Sequence, residues 1–236
     1  MGTLRIEPEI SAVSVVLIGE FNPAMLTPAW LAYHDIFNKQ EAEEADLQVA
    51  SRAVTQFSTD WLVLQAASDR FAAETTRSPH IRLRDLVLRI FQEKLVHAPF
   101  RAMGLNRSVH FLTPTPEHRD ALGRRLAPLD PWMEGSDIVN FSAEPSGMTS
   151  LEMRQGNLEG RPPADQINVR IEPSNRVGGG HLGILVTIND HYTPTGPSGG
   201  FGPREDLPGP LASGFERSTA QADKIVDYVM DLAKSR

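Results

Sequence analysis

Between Ile81 and Leu112 the spacing of the apolar residues changes period, and that change limits the folds open to the chain. In IRLRDLVLRIFQEKLVHA, Leu83, Val87, Ile90 and Phe91 recur at helical spacing, and the stem of Lys94 continues the stripe. Arg82, Arg84, Asp85, Arg89, Gln92 and Glu93 take the other side. Pro79 breaks the chain before this helix and Pro99 ends it. Beyond Gly104 the period drops to two: Leu105, Arg107, Val109 and Phe111 alternate with Asn106, Ser108 and His110. That is the pattern of a strand with one face on a core and the polar histidine side turned outward. A helix feeding a half-buried strand implies an α+β fold, an antiparallel or mixed sheet packed by about three or four helices.

The flanking segments supply more strands than helices. Ser11 to Gly19 is apolar at both alternating positions, so a central strand covered on both faces is expected. Thr27 caps a helix that begins at Pro28 and carries Trp30, Leu31, Tyr33, His34 and Phe37. The acidic run Glu41, Glu43, Glu44 and Asp46 reads as a solvated linker or helix face. Val54 to Ala67 reads as one strand, Ser68-Asp69-Arg70 as a turn, and Phe71 to Thr75 as its hairpin partner. Thr115 and Pro116 open a short helix to about Leu126. Leu129 to Gly147 is expected to be an irregular crossover.

Strands follow at Leu151–Met153, Ile167–Glu172 and Leu182–Tyr192, the last two joined by the Gly-rich loop SNRVGGGH. Residues 193–210 carry a heavy Gly and Pro load and read as an extended loop. A final helix is expected from Ser218, with Ile225, Val226, Val229 and Leu232 as its buried stripe. The 236 residues suit one compact unit, 1–236. The alternative division gives halves 1–128 and 129–236, which would be pseudo-repeats.

Chemistry is sparse. The chain has no cysteine, which removes thiolate catalysis and the usual zinc or iron–sulfur frameworks. The seven histidines form no HxH or HExxH pair, so no metal and no cofactor is expected. His181 and His191 stand roughly 30 Å apart along an extended strand at ~3.3 Å per residue. The candidate catalytic residues are His110, Asp190 and His191. Asp190 and His191 end a strand beside the Gly/Pro loop, where a base and its orienting acid could sit, but neighbours on a strand point to opposite faces. Asp190 shares a face with Tyr192. Gly178 to Gly180 precede a strand, not a helix, and lack the Gly-Lys-Ser/Thr of a phosphate loop.

Thirty acidic residues against 23 basic ones give a net charge of −7, which disfavours a nucleic-acid partner. A local basic cluster of Arg101, Arg107, Arg119, Arg124 and Arg125 is the candidate binding set. MGTLRIEPEI has no basic stretch leading into an apolar core, and no apolar run approaches a membrane span. A cytoplasmic protein without a membrane partner is the expectation.

Trp61, Phe71, the long helix and FRAMGLNRSVHF together are similar to a sporadically distributed, uncharacterised bacterial protein family of about this length. In that family a comparable helix leads into a strand of the form R-x-G-L-R-Y-x-N-R, which Arg101, Gly104, Leu105, Asn106 and Arg107 resemble in a different arrangement. The resemblance implies an α+β fold and supplies no activity or catalytic residue. The sequence expectation is therefore a binding protein without catalysis, acting on a protein partner or on itself as a homo-oligomer. Two alternatives remain: a small-molecule hydrolase using His110, Asp190 or His191, and a nucleic-acid-associated protein using the arginines.

Overall fold

A computed structural model describes residues 4–133, 147–180, 182–193 and 208–234. His181, most of the 193–210 loop and residues 134–146 of the expected crossover lie outside these. The chain has an α+β fold. In chain order the elements are β1 (Ile10–Gly19), α1 (Pro28–Tyr33), α2 (Lys39–Glu43), β2 (Asp46–Ala50), β3 (Val54–Ser58), β4 (Val63–Ala67), β5 (Arg70–Thr75) and α3 (Ile81–Leu88). Then come β6 (Phe100–Leu112), α4 (Pro116–Leu126), α5 (Asp130–Met133), β7 (Leu151–Gln155), β8 (Gln166–Pro173), β9 (Gly183–Tyr192) and α6 (Pro208–Lys234).

The strands form one antiparallel sheet in the order β2-β3-β4-β5-β1-β6-β9-β8-β7. Strand, helix, antiparallel meander and helix follow one another from β1, and the same succession begins again at β6. The two opening strands pair at the centre of the sheet, and each meander builds outward from its own.

Because side chains alternate along a strand, the register sorts every residue to one of two faces. Val13, Val15, Leu17, Phe71, Ala73, Met103 and Leu105 lie on one face, in a cluster closed by α1 and α3. On the same face Val109, Phe111, Ile167, Ile171, Ile184, Val186 and Ile188 meet Leu122 of α4 and Ala222, Val226 and Val229 of α6. α6 spans both clusters, since Leu211 and Phe215 in its first turns belong to the former. At ~1.5 Å per residue its 27 residues reach roughly 40 Å, enough to cross both halves.

Four expectations change. Residues 54–67 are two strands, because Thr59 turns the chain: its hydroxyl accepts from the Leu62 N–H at 3.2 Å and its own N–H donates to the Leu62 carbonyl at 2.8 Å. The final helix starts ten residues before Ser218, with Pro208 and Pro210 in the first turn where no intrahelical N–H is needed. Ser218 is buried mid-helix instead of capping it.

The central helix passes from α-helix to a π turn at Arg89–Lys94, where the Leu95 N–H reaches the Ile90 carbonyl at 2.8 Å. The wider turn seats both Ile90 and Phe91 in the core and rotates Lys94 out to solvent, so Leu95 packs there instead. Finally, β1 is central, but among the described residues no helix closes its second face: Val16 and Ile18 are only half-buried.

Candidate functional site

The even positions of β1 and β6 and the odd positions of β9 look away from both apolar clusters. The helices that carry buried stripes, α1, α3, α4 and α6, close the opposite side. This open face has a floor of small and polar residues: Ala12, Ser14, Gly104, Asn106, Ser108, Thr187, Asn189 and Asn168.

Register places Ser14, Asn106, Asn189 and Asn168 in one row across four strands. Their side chains join into a ladder. Asn106 Nδ2 donates to Ser14 Oγ at 3.2 Å, Asn189 Nδ2 to Asn106 Oδ1 at 2.6 Å, and Asn168 Nδ2 to Asn189 Oδ1 at 3.2 Å. All four are half-buried and open to solvent, and each amide keeps a second N–H outside the ladder. Gly104 makes room for it, since a Cβ there would come within 2.6 Å of Asn189 Nδ2.

Charge on this face is mixed. Arg70, Arg154 and Arg170 stand against Glu74, Glu152 and Glu172, with Arg170 and Glu172 paired at 2.9 Å.

The structure places the expected catalytic residues apart and gives the side chains of His110 and Asp190 structural partners. His110 was expected on the outward side. It is on the open face, but the loop after β8 folds over that corner and leaves it 3% exposed. Its Nδ1 lies 2.7 Å from Ser174 Oγ, and among the described residues no carboxylate hydrogen-bonds to the pair. Burial first, and then the charge of Arg176, push its pKa below the ordinary histidine value. The ring is therefore neutral at pH 7, where its pairing with Ser174 fastens that loop.

Asp190 and Tyr192 share the core face, as the alternation requires. The Tyr192 hydroxyl donates to Asp190 Oδ2 at 2.9 Å. Arg161 joins them: Nη1 donates to Asp190 Oδ1 at 2.6 Å, Nε to Asp165 Oδ2 at 3.1 Å and Nη2 to the His191 carbonyl at 2.9 Å. Its guanidinium also lies 4.0 Å from the Tyr192 ring centre. Asp165 accepts in turn from the Thr193 N–H at 2.8 Å. Asp190 is thus held as an ion-pair anchor at the end of β9, while His191 sits half-buried on the other face.

The five arginines do not form one patch. Arg101 and α4 lie at opposite ends of β6, roughly 35 Å apart at ~3.3 Å per residue. Arg107 is buried on the core face, with Nε 2.8 Å from Asp223 Oδ1 and Nη1 donating to the Ala12 carbonyl at 3.1 Å. Arg101 pairs with Glu20 at 2.9 Å and Arg119 with Asp120 at 2.7 Å. Arg124 and Arg125 are exposed in the last turn of α4. Glu41, read as part of a solvated run, instead accepts from the Trp61 indole at 2.6 Å and from Arg82 at 2.9 Å.

Arg161, Asp165 and Ser174 escaped the sequence reading. Arg161 precedes two prolines and looks like loop punctuation, and apart from Asp165 its partners are 29 and 30 residues away. The amide row left a fainter trace, an asparagine in the polar set of each of three strands.

Among the described residues no group of three or more His, Cys, Asp or Glu could hold a metal ion, and no helix is long and apolar enough to cross a membrane. No protein-family model matches the chain, and no curated protein matches it.

Proposed function

We propose that the chain acts without catalysis, binding another macromolecule or a second copy of itself through the open face of the sheet. The amide ladder is the observation that carries this reading. A row of hydrogen-bonding side chains, prealigned by the backbone of four strands, offers donors to a partner at little ordering cost. The balance of three arginines and three glutamates around it suits a protein surface rather than a phosphate backbone, which selects for concentrated cations. The resemblance to the uncharacterised bacterial family is in keeping with this and adds no activity. A catalytic role for Asp190 or His110 has against it that the former is saturated by Arg161 and Tyr192 and the latter is sealed.

The test is site-specific photocrosslinking in host cells. A photoreactive residue replaces Thr187 on the open face or, in a second variant, Tyr228, which is exposed on α6. Adducts formed from position 187 and not from 228 are expected, and their masses distinguish a dimer from a foreign partner. Adducts from 228 alone, or from neither position, reject the proposal.

A further inference from the structure

A concave site lies away from the open-face ladder, where β1 ends and β6 begins. The segment 20–25 and the segment 94–99 face each other across a cleft of about 490 Å³, within the range of small-molecule sites, about 300–1,000 Å³. Its inner wall is aromatic and fixed. Phe21 packs edge-on to Phe91 with centroids 5.6 Å apart, and lies 6.1 Å from Phe100 and 6.4 Å from Phe71. Met25, Leu95, Val96 and Pro99 extend this apolar lining toward the lip.

Backbone hydrogen bonds hold both walls in place. The Glu20 N–H donates to the Pro99 carbonyl at 3.1 Å, the Phe21 N–H to Ser68 at 2.8 Å and the Ala98 N–H to Leu95 at 3.0 Å. The cleft is therefore formed before anything enters it.

Four polar side chains line it as well. Glu20 already pairs with Arg101. Asn22, Lys94 and His97 make no side-chain hydrogen bond or ion pair among the described residues. The π turn is what turns Lys94 away from the core stripe and onto this cleft.

We infer that the cleft binds a small apolar carboxylate, its body against Phe21, Met25 and Val96 and its anionic group on Lys94, His97 and the Asn22 amide. An anion fits better than a cation because the single carboxylate in the lining is neutralised by Arg101 while the ammonium of Lys94 is not engaged. The inference is independent of the open face.

The experiment titrates the full-length chain with 1-naphthylacetate and with decanoate, an aromatic and an aliphatic carboxylate. The control is 2-(1-naphthyl)ethylamine, which reverses the charge on a similar body. Backbone amide shifts locate the site, and calorimetry gives the affinity. Saturable binding of at least one carboxylate is expected, with shifts centred on residues 20–25 and 94–101. Lys94→Gln weakens it roughly tenfold, the worth of one charge-assisted hydrogen bond. Val96→Asp, at an exposed position that does not threaten folding, abolishes it. The inference is overturned if neither carboxylate saturates at millimolar concentration, if the amine binds as well, or if Lys94→Gln leaves the affinity unchanged.

Discussion

Arg107 occupies a core position of β6, and its charge is tolerable there only because Asp223 comes down from α6 to meet it. Removing one partner strands the other. Asp223→Ala is expected to cost about 3–5 kcal/mol in urea denaturation, while the double variant Arg107→Met/Asp223→Leu recovers most of that loss. A double variant no better than the single one contradicts this account. Tyr192 makes a second residue-scale prediction. Burial above all, then the charge and hydrogen bond of Asp190, raise its phenol from 10.0 to about 12, with Arg161 and Arg217 opposing. An acid held above its unfolded value contributes stability that is complete below about pH 10 and declines as pH rises toward about 12. The decline amounts to roughly 2 kcal/mol. Urea titrations across that range show it in the native chain and not in Tyr192→Phe; parallel curves dispose of the assignment. The alternation of Asp190 with Tyr192 was legible in the sequence, because period two is local. Their tie to Arg161 was not, because nothing short-range marks a contact across 29 residues.

At the scale of elements, the seam between β1, β6 and β9 depends on a residue without a side chain. Gly104 leaves the space that the Asn189 amide fills, and the row from Ser14 to Asn168 passes beside it. Gly104→Val is expected to displace Asn189, break the ladder at its middle and cost roughly 1–3 kcal/mol as overpacking does. Asn189→Ala in the same background then has little further effect, which a double-mutant cycle measures; full additivity would show that the two do not share a site. The helix at 81 and the strand after Gly104 were readable from periodicity. The π turn between them was not, since the spacing of Leu83, Val87, Ile90 and Phe91 also suits an unbroken helix. Only packing against the sheet decides that Lys94 turns outward and Leu95 takes its place on the core. The early start of α6 was hidden by Pro208 and Gly209, which read as loop residues until Leu211 and Phe215 find the first core cluster.

For the molecule as a whole, stability is graded from the centre of the sheet outward. β1, β6 and β9 run for ten or more residues and have a neighbour on both sides, whereas β2 and β7 are five residues long, stand at the two ends of the strand order and are largely exposed. Amide hydrogen exchange should therefore be slowest in Val13–Leu17 and Leu105–Val109 and fastest in the two edge strands. Equal protection in β2 and β6 would contradict the grading. The sequence by itself determined the α+β class, the alternation that sorts the residues of β6 and β8 onto two faces, and the poverty of cysteine and metal-binding patterns. Those properties follow from residue type and short-range spacing, which a linear chain displays. The tertiary structure alone decided that the two opening strands meet at the centre, that three asparagines fall into one row, that His110 is covered by Ser174, and that Glu20 to Met25 face Lys94 to Pro99 across a cleft. Each depends on which strand pairs with which and in what register, and that is settled by the joint burial of two apolar clusters under α6, a property of the whole chain.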